Sequence, residues 1–178
     1  MLTYMSIRST IAALEAAGEL TSFHPRSRIP PRRRLYLNKQ AVKDLTDVNS
    51  ATNVLVGRGY IQAALEHWVR GERVTGTAKG GRFMKRLESP PKEIWEIRVT
   101  VPVVQCRLFG RFAEQDTLVL TKFHTRSMLG KKGSANWTSA MTTCETDWGN
   151  LFGLEAPYTG NSIHDYVSEN CDDFPLEA

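Results

Sequence analysis

Arg107, Lys122, His124 and Arg126 are the residues of this sequence best suited to chemistry. A guanidinium offers paired N–H donors to a phosphate, and an imidazole ordinarily titrates close to neutral pH. Such a set could clamp a phosphate and move a proton beside it. Arg107 and Arg111 share one parity of an alternating segment, and Lys122, His124 and Arg126 share one parity at the end of the next. Each set therefore lies on one face if those segments are strands. Another reading of the same residues pairs Arg98 and Arg107 across strands with Glu96 and leaves His124 a plain surface residue.

The segments that must position these residues do read as strands. Ile94 to Val101 alternates, with Trp95, Ile97, Val99 and Val101 on one face and Glu96, Arg98 and Thr100 on the other. Gln105 to Phe112 alternates again, with Cys106, Leu108 and Phe112 opposite Gln105, Arg107, Phe109 and Arg111. After a turn at Glu114 to Asp116, the run from Thr117 to His124 is apolar on both faces until its end, as in a central strand. Three strands joined this closely make an antiparallel meander. Trp137, Met141, Cys144, Trp148 and Leu151 then recur at helical spacing behind Ser134 as N-cap, which predicts a closing helix with an apolar face. Upstream, Ile61, Ala64, Leu65, Trp68 and Val69 predict a helix between Gly57 and Gly71.

The first 50 residues predict a smaller unit: a helix over Ser6 to Gly18, a two-stranded wing with a Pro- and Arg-rich tip at Arg26 to Arg34, and a helix capped by Asn38. Residues 46 to 57 are small and polar and read as a linker. The expected organisation is thus a winged helix-turn-helix-like unit at 1–50, a main domain at 51–153 and an acidic tail at 154–178. The fold class is α+β, an antiparallel sheet of three to four strands packed against helices.

With 178 residues, 41% hydrophobic and 24% charged, the chain falls outside the ranges of disordered, collagen-like and disulfide-scaffold proteins. Its cysteines, Cys106, Cys144 and Cys171, form no CxxC pair, and no GxxxxGK[ST] phosphate loop is present, so neither a metal nor a cofactor is signalled. No stretch reaches the ~20 apolar residues of a membrane span, so a cytoplasmic location away from membranes is expected. Residues 1–50 carry 8 Lys+Arg against 4 Asp+Glu, residues 51–153 carry 15 against 9, and residues 154–178 carry 0 against 6. A basic body of this kind suits phosphate-rich partners.

Two resemblances follow from particular residues. Thr10 to Leu20, Arg32-Arg-Arg-Leu-Tyr-Leu37 and Ala41-Val-Lys-Asp-Leu45 resemble the helix-turn and wing of MerR-like or excisionase-like DNA-binding domains. That resemblance implies contacts from Arg32, Arg33 and Arg34 to DNA phosphates. Arg82 to Leu87, Ile94-Trp-Glu-Ile-Arg98, Cys106-Arg-Leu-Phe109, Asp116 to Leu120 and Phe123-His-Thr-Arg126 together resemble the RelE/ParE toxin superfamily, closest to its HigB-like, phage-derived branch, over residues 58–152.

The second resemblance implies a ribosome-dependent mRNA endonuclease that uses the ribose 2′-OH as nucleophile and needs no metal, with a cognate antitoxin as partner. It casts Arg107, His124, Arg126 and Lys122 as the catalytic set, Arg107 as phosphate clamp and His124 as general acid or base. Arg98, Arg111, Lys131 and Lys132 would hold the RNA. Two alternatives stand beside it: a non-catalytic phage or mobile-element nucleic-acid binder or host inhibitor, and a ParE-like gyrase poison. The acidic tail, either disordered or docked, would act as a phosphate mimic if it lay on the basic face.

Overall fold

A computed structural model of the chain describes residues 6–26, 29–76, 82–87, 93–100 and 104–176. Its centre is the predicted meander: β4 (Trp95–Thr100), β5 (Gln105–Glu114) and β6 (Thr117–Thr125), each antiparallel to the next. Trp95, Ile97, Val99, Cys106, Leu108, Phe112, Leu118, Leu120 and Phe123 point to one side and form the main core. Opposite them lie two smaller apolar clusters, one around Phe109, Trp137, Met141 and Cys144, the other around Val119, Trp148 and Phe152.

The sheet is larger than expected and mixed. It has six strands in the order β1-β2-β6-β5-β4-β3, adding β1 (Leu20–Ser22), β2 (Arg34–Asn38) and β3 (Met84–Arg86) to the meander. β1 and β2 are antiparallel, as a wing requires, but β2 also pairs in parallel with β6, Arg34 opposite Thr117 through Leu37 opposite Leu120. Residues of the 1–50 segment are thereby built into the same sheet as the meander. The reason is apolar: Leu35 and Leu37 are buried in the main core, and the Trp68 indole N–H donates to Arg34 O at 3.0 Å. β1 and β3 are three residues long, too short to show a period of two in the sequence.

Helices cover both faces. α2 (Lys39–Thr46) and α4 (Arg58–Val69) pack on the main-core side through Ala41, Leu45, Ile61, Leu65, Trp68 and Val69. α1 (Ile7–Ala16) and α6 (Ala135–Phe152) cover the other side. The predicted caps are present: Asn38 accepts from Ala41 N at 2.8 Å and Ser134 from Trp137 N at 3.3 Å. Residues 46–57 differ from the expected linker, since Ser50 caps α3 (Ala51–Val56), which buries Thr52 and Val56.

β5 and β6 are not in even register. Phe109 pairs with Lys122 but Gly110 pairs with Leu120, so Thr121 is an extra residue in β6. A Cβ on Gly110 would come within 2.2 Å of Val119 O, a close approach of two backbones that only glycine allows. The bulge reverses the parity of β6: Leu118 and Leu120 face the main core, while Lys122 and His124 emerge on the opposite side.

The tail is docked and contributes to the core. From α7 (Ile163–Tyr166) onward, the chain buries Ile163, Tyr166, Val167, Phe174 and Leu176 against the α2/α4 side of the sheet. The Tyr166 hydroxyl donates to the buried Glu93 carboxylate at 2.6 Å and accepts from Gly160 N at 2.7 Å. Tail carboxylates meet Arg32 and Arg73, Glu169 at 3.3 Å and Asp172 at 2.6 Å. Among the described residues, no helix is long and apolar enough to cross a membrane. The α5 turn (Arg126–Leu129) joins β6 to α6.

Candidate functional site

The register assembles the basic residues into two rows on the α6 side of the sheet. Arg98, Arg107 and His124 are consecutive cross-strand partners on β4, β5 and β6. The row beside it runs Lys85, Glu96, Phe109 and Lys122 across β3 to β6. Cross-strand partners point to the same face, so strand pairing alone brings four cations, one imidazole and one carboxylate together.

Glu96 is fully buried between the two arginines, with Oε1 2.6 Å from Arg98 Nε and Oε2 3.4 Å from Arg107 Nε. Arg107 is only 5% exposed, and it also donates to Cys106 O at 2.9 Å and to Gln105 Oε1 at 3.0 Å. Burial pulls its pKa down, Glu96 opposes that, and Arg98 and Arg126 add to it. Arg98 keeps about a quarter of its side chain in solvent and is the more accessible of the two guanidiniums.

His124 is 9% exposed, its ring 5.1 Å from that of Phe109, and its Nε2 has no hydrogen-bond partner among the described residues. Burial, and then the Lys122 ammonium, push its pKa down to about 4. The imidazole is therefore neutral at pH 7, with one ring nitrogen carrying a lone pair able to accept a proton.

Arg126, the first residue of α5, donates to Gly130 O and lies over the Trp137 ring at 5.3 Å from its centroid. Lys131 and Lys132 are exposed in the turn that follows. Lys85 is a member that the sequence reading missed. Burial lowers its pKa first, and the charges of Lys132, Arg82 and Arg98 push the same way, so a dense set of cations meets at this end of the sheet. The signal was three residues of alternation, Met84-Lys85-Arg86, too few to separate from a loop.

Other expected site residues lie elsewhere. Arg111 shares the face of Arg107 but is covered by α6, with its guanidinium 5.8 Å from the Trp148 ring centroid, and burial lowers its pKa. Arg33 is 1% exposed, donates to Glu72 O at 2.9 Å and Glu169 O at 2.6 Å, and stacks over Trp68. Arg32 pairs with Glu169 and Arg34 with Glu114 at 3.1 Å. Arg33 thus serves internal contacts of this fold where the tail returns beside it, while Arg32 and Arg34 keep more than half of their side chains in solvent. Residues 27 and 28 of the expected basic tip lie outside the described residues.

The buried thiol of Cys106 is pushed up to about 12, which makes it inert as a nucleophile. Among the described residues, no cluster of three or more His, Cys, Asp or Glu side chains is placed to hold a metal ion. Comparison of the chain with protein-family models, with curated proteins and with solved structures finds no match.

Proposed function

We propose that the two rows bind RNA phosphates and that the chain is an endoribonuclease of the RelE/HigB-like kind, with mRNA on the ribosome as substrate. The observation that carries this reading is the row Arg98, Arg107, His124, in which a neutral imidazole stands in register with two guanidiniums. His124 accepts the 2′-OH proton, O2′ attacks the adjacent phosphorus, and the P–O5′ bond breaks. The products are a 2′,3′-cyclic phosphate and a 5′-hydroxyl, whose oxygen takes its proton from the Lys122 ammonium. Arg98 and Arg126 hold the charge that grows on the phosphate. Arg107, tied to Glu96 and to its own strand, is a positioning residue that fixes Glu96 and through it Arg98.

A second reading, a nucleic-acid-binding module without catalysis, is favoured by the burial of Arg107 and His124, which leaves Arg98, Lys122 and the lysines of the turn as the accessible groups. Primer extension on a defined mRNA, with and without ribosomes, separates the two. Cuts made by the wild-type chain that disappear with His124→Ala and fall with Arg98→Ala are expected. Retained RNA binding with no cuts under either condition would leave the binding module as the better account.

A further inference from the structure

β2 accompanies β6 only as far as Leu37 opposite Leu120, so among the described residues no strand covers the far half of that edge of β6. α2 and α3 close that edge instead, and Phe123 N donates to Asp44 Oδ2 at 3.0 Å. Between them and α6 lies a pocket of about 300 Å³, lined by Lys122, His124 and Asp44 and, from α6, by Asn136, Ser139 and Thr143. Two of its walls, Lys122 and His124, are also the β6 members of the phosphate rows.

We propose that this pocket receives a nucleobase of the same RNA strand whose phosphate lies on the Arg98–Arg107–His124 row. The inference rests on the RNA reading above and adds to it where the base preference of the site is set. In a nucleotide, base and phosphate are separated by one sugar, so their sites must share a wall, and His124 is such a wall. Charge then sorts the two parts. The Asp44 carboxylate accepts from Gln40 Nε2 at 2.8 Å and from Phe123 N, and a carboxylate on this wall disfavours a phosphate and tolerates a neutral base.

The polar groups suit the edge of a base. The Asn136 amide nitrogen donates to Met128 O at 3.0 Å, which leaves Oδ1 as an acceptor. The hydroxyl of Ser139 and the Lys122 ammonium supply donors, and the buried His124 Nε2 lacks a partner among the described residues. Donors and acceptors converging on a small cavity are how unstacked RNA bases are read. The volume lies at the small end of ligand pockets, roughly 300–1,000 Å³.

The test is an amide NMR titration of the full chain with each of the four ribonucleoside 3′-monophosphates and, separately, with inorganic phosphate. Nucleotides are expected to shift Asn136, Ser139 and Thr143 together with Arg98 and His124, at least one base binding more tightly than the others, while inorganic phosphate shifts the rows alone. Ser139→Trp, at an exposed position of α6, is expected to fill the pocket. It should weaken nucleotide binding by about tenfold or more and leave the affinity for inorganic phosphate unchanged. Asn136→Ala should cost the preferred nucleotide about fivefold, the worth of one hydrogen bond. Nucleotide shifts confined to the rows, or Ser139→Trp binding nucleotides as the wild type does, would overturn the pocket assignment. Absence of cleavage in the primer-extension assay would sink the nuclease reading and leave these binding results standing.

Discussion

Arg107 of β5 and His124 of β6 are directly opposed in the antiparallel register. Opposed side chains stand about 5 Å apart at Cβ and share a face, so the strand pairing itself places a guanidinium beside an imidazole. Neither is a free surface group. Glu96, the Cys106 carbonyl and the Gln105 amide oxygen hold the first, and the Phe109 ring flanks the second. The pair is preorganised by the sheet, and the accessible chemistry belongs to the groups around it.

The His124 pKa makes stability pH-dependent in a defined window. Its folded value is about 4 against an ordinary 6.5, so between those values the unfolded chain binds a proton that the folded chain does not. Stability therefore falls as pH drops through 6.5 and levels off near 4, with a total loss of roughly 3 kcal/mol from this group. Urea unfolding at a series of pH values is expected to show this loss in the wild type. In His124→Phe the loss should be smaller by about that amount. Equal pH dependence in the two proteins, or an NMR titration of His124 near 6.5, would show that the ring is not buried as described.

Glu96 should matter more to folding than its single charge suggests. It is the carboxylate that two guanidiniums share, and Arg107 beside it is almost wholly buried. Removing one partner of a buried ion pair leaves an uncompensated charge and costs about 3–5 kcal/mol. Glu96→Gln is expected to fall in that range by urea denaturation. The double variant Glu96→Gln/Arg107→Met should recover much of the loss, because it removes the stranded cation as well. A single-variant effect below about 0.5 kcal/mol would mean that the two arginines are satisfied by water instead.

Gly110 links backbone geometry to the site. A Cβ there would meet Val119 O at 2.2 Å and Leu120 Cδ2 at 2.9 Å. The strands would have to separate at the bulge that turns Lys122 and His124 to the Arg107 face. Gly110→Ala is expected to cost about 1–3 kcal/mol, as overpacking typically does, and to shift the His124 ring resonances far more than those of His67 on α4. Unchanged stability and unchanged His124 resonances would place the bulge elsewhere.

The meander, the closing helix and the Asn38 and Ser134 caps were legible because they rest on local signals: alternation over six or more residues, apolar spacing of three and four, and a capping side chain. The face shared by Lys122, His124 and Arg107 was not. Parity orders residues within a strand, but Leu118, Leu120, Lys122 and His124 have one parity and two faces, and only the extra residue Thr121 reconciles them. The parallel pairing of β2 with β6 joins segments about 80 residues apart, and no local pattern announces it. Composition leaves the tail open between disorder and docking, because six acidic residues mask Ile163, Tyr166, Val167, Phe174 and Leu176, which carry its burial. The internal use of Arg33 follows from the return of that tail.

The last prediction separates cations that face a ligand from cations that serve the fold. Lys131 and Lys132 are exposed at the end of the rows, and Lys132 adds to the positive field at Lys85. Arg34 is also exposed, but Glu114 already pairs with it. For single-stranded nucleic acid, each phosphate contact contributes about 0.7 to the slope of log affinity against log salt. Fluorescence anisotropy with a labelled single-stranded RNA over a series of salt concentrations is therefore expected to lose about 0.7 of slope for each of Lys131→Ala and Lys132→Ala. Arg34→Ala should leave the slope unchanged, since its partner is internal. The reverse pattern, a slope that falls with Arg34→Ala and ignores both lysines, would move the nucleic-acid surface from the α6 side of the sheet to the β1–β2 hairpin.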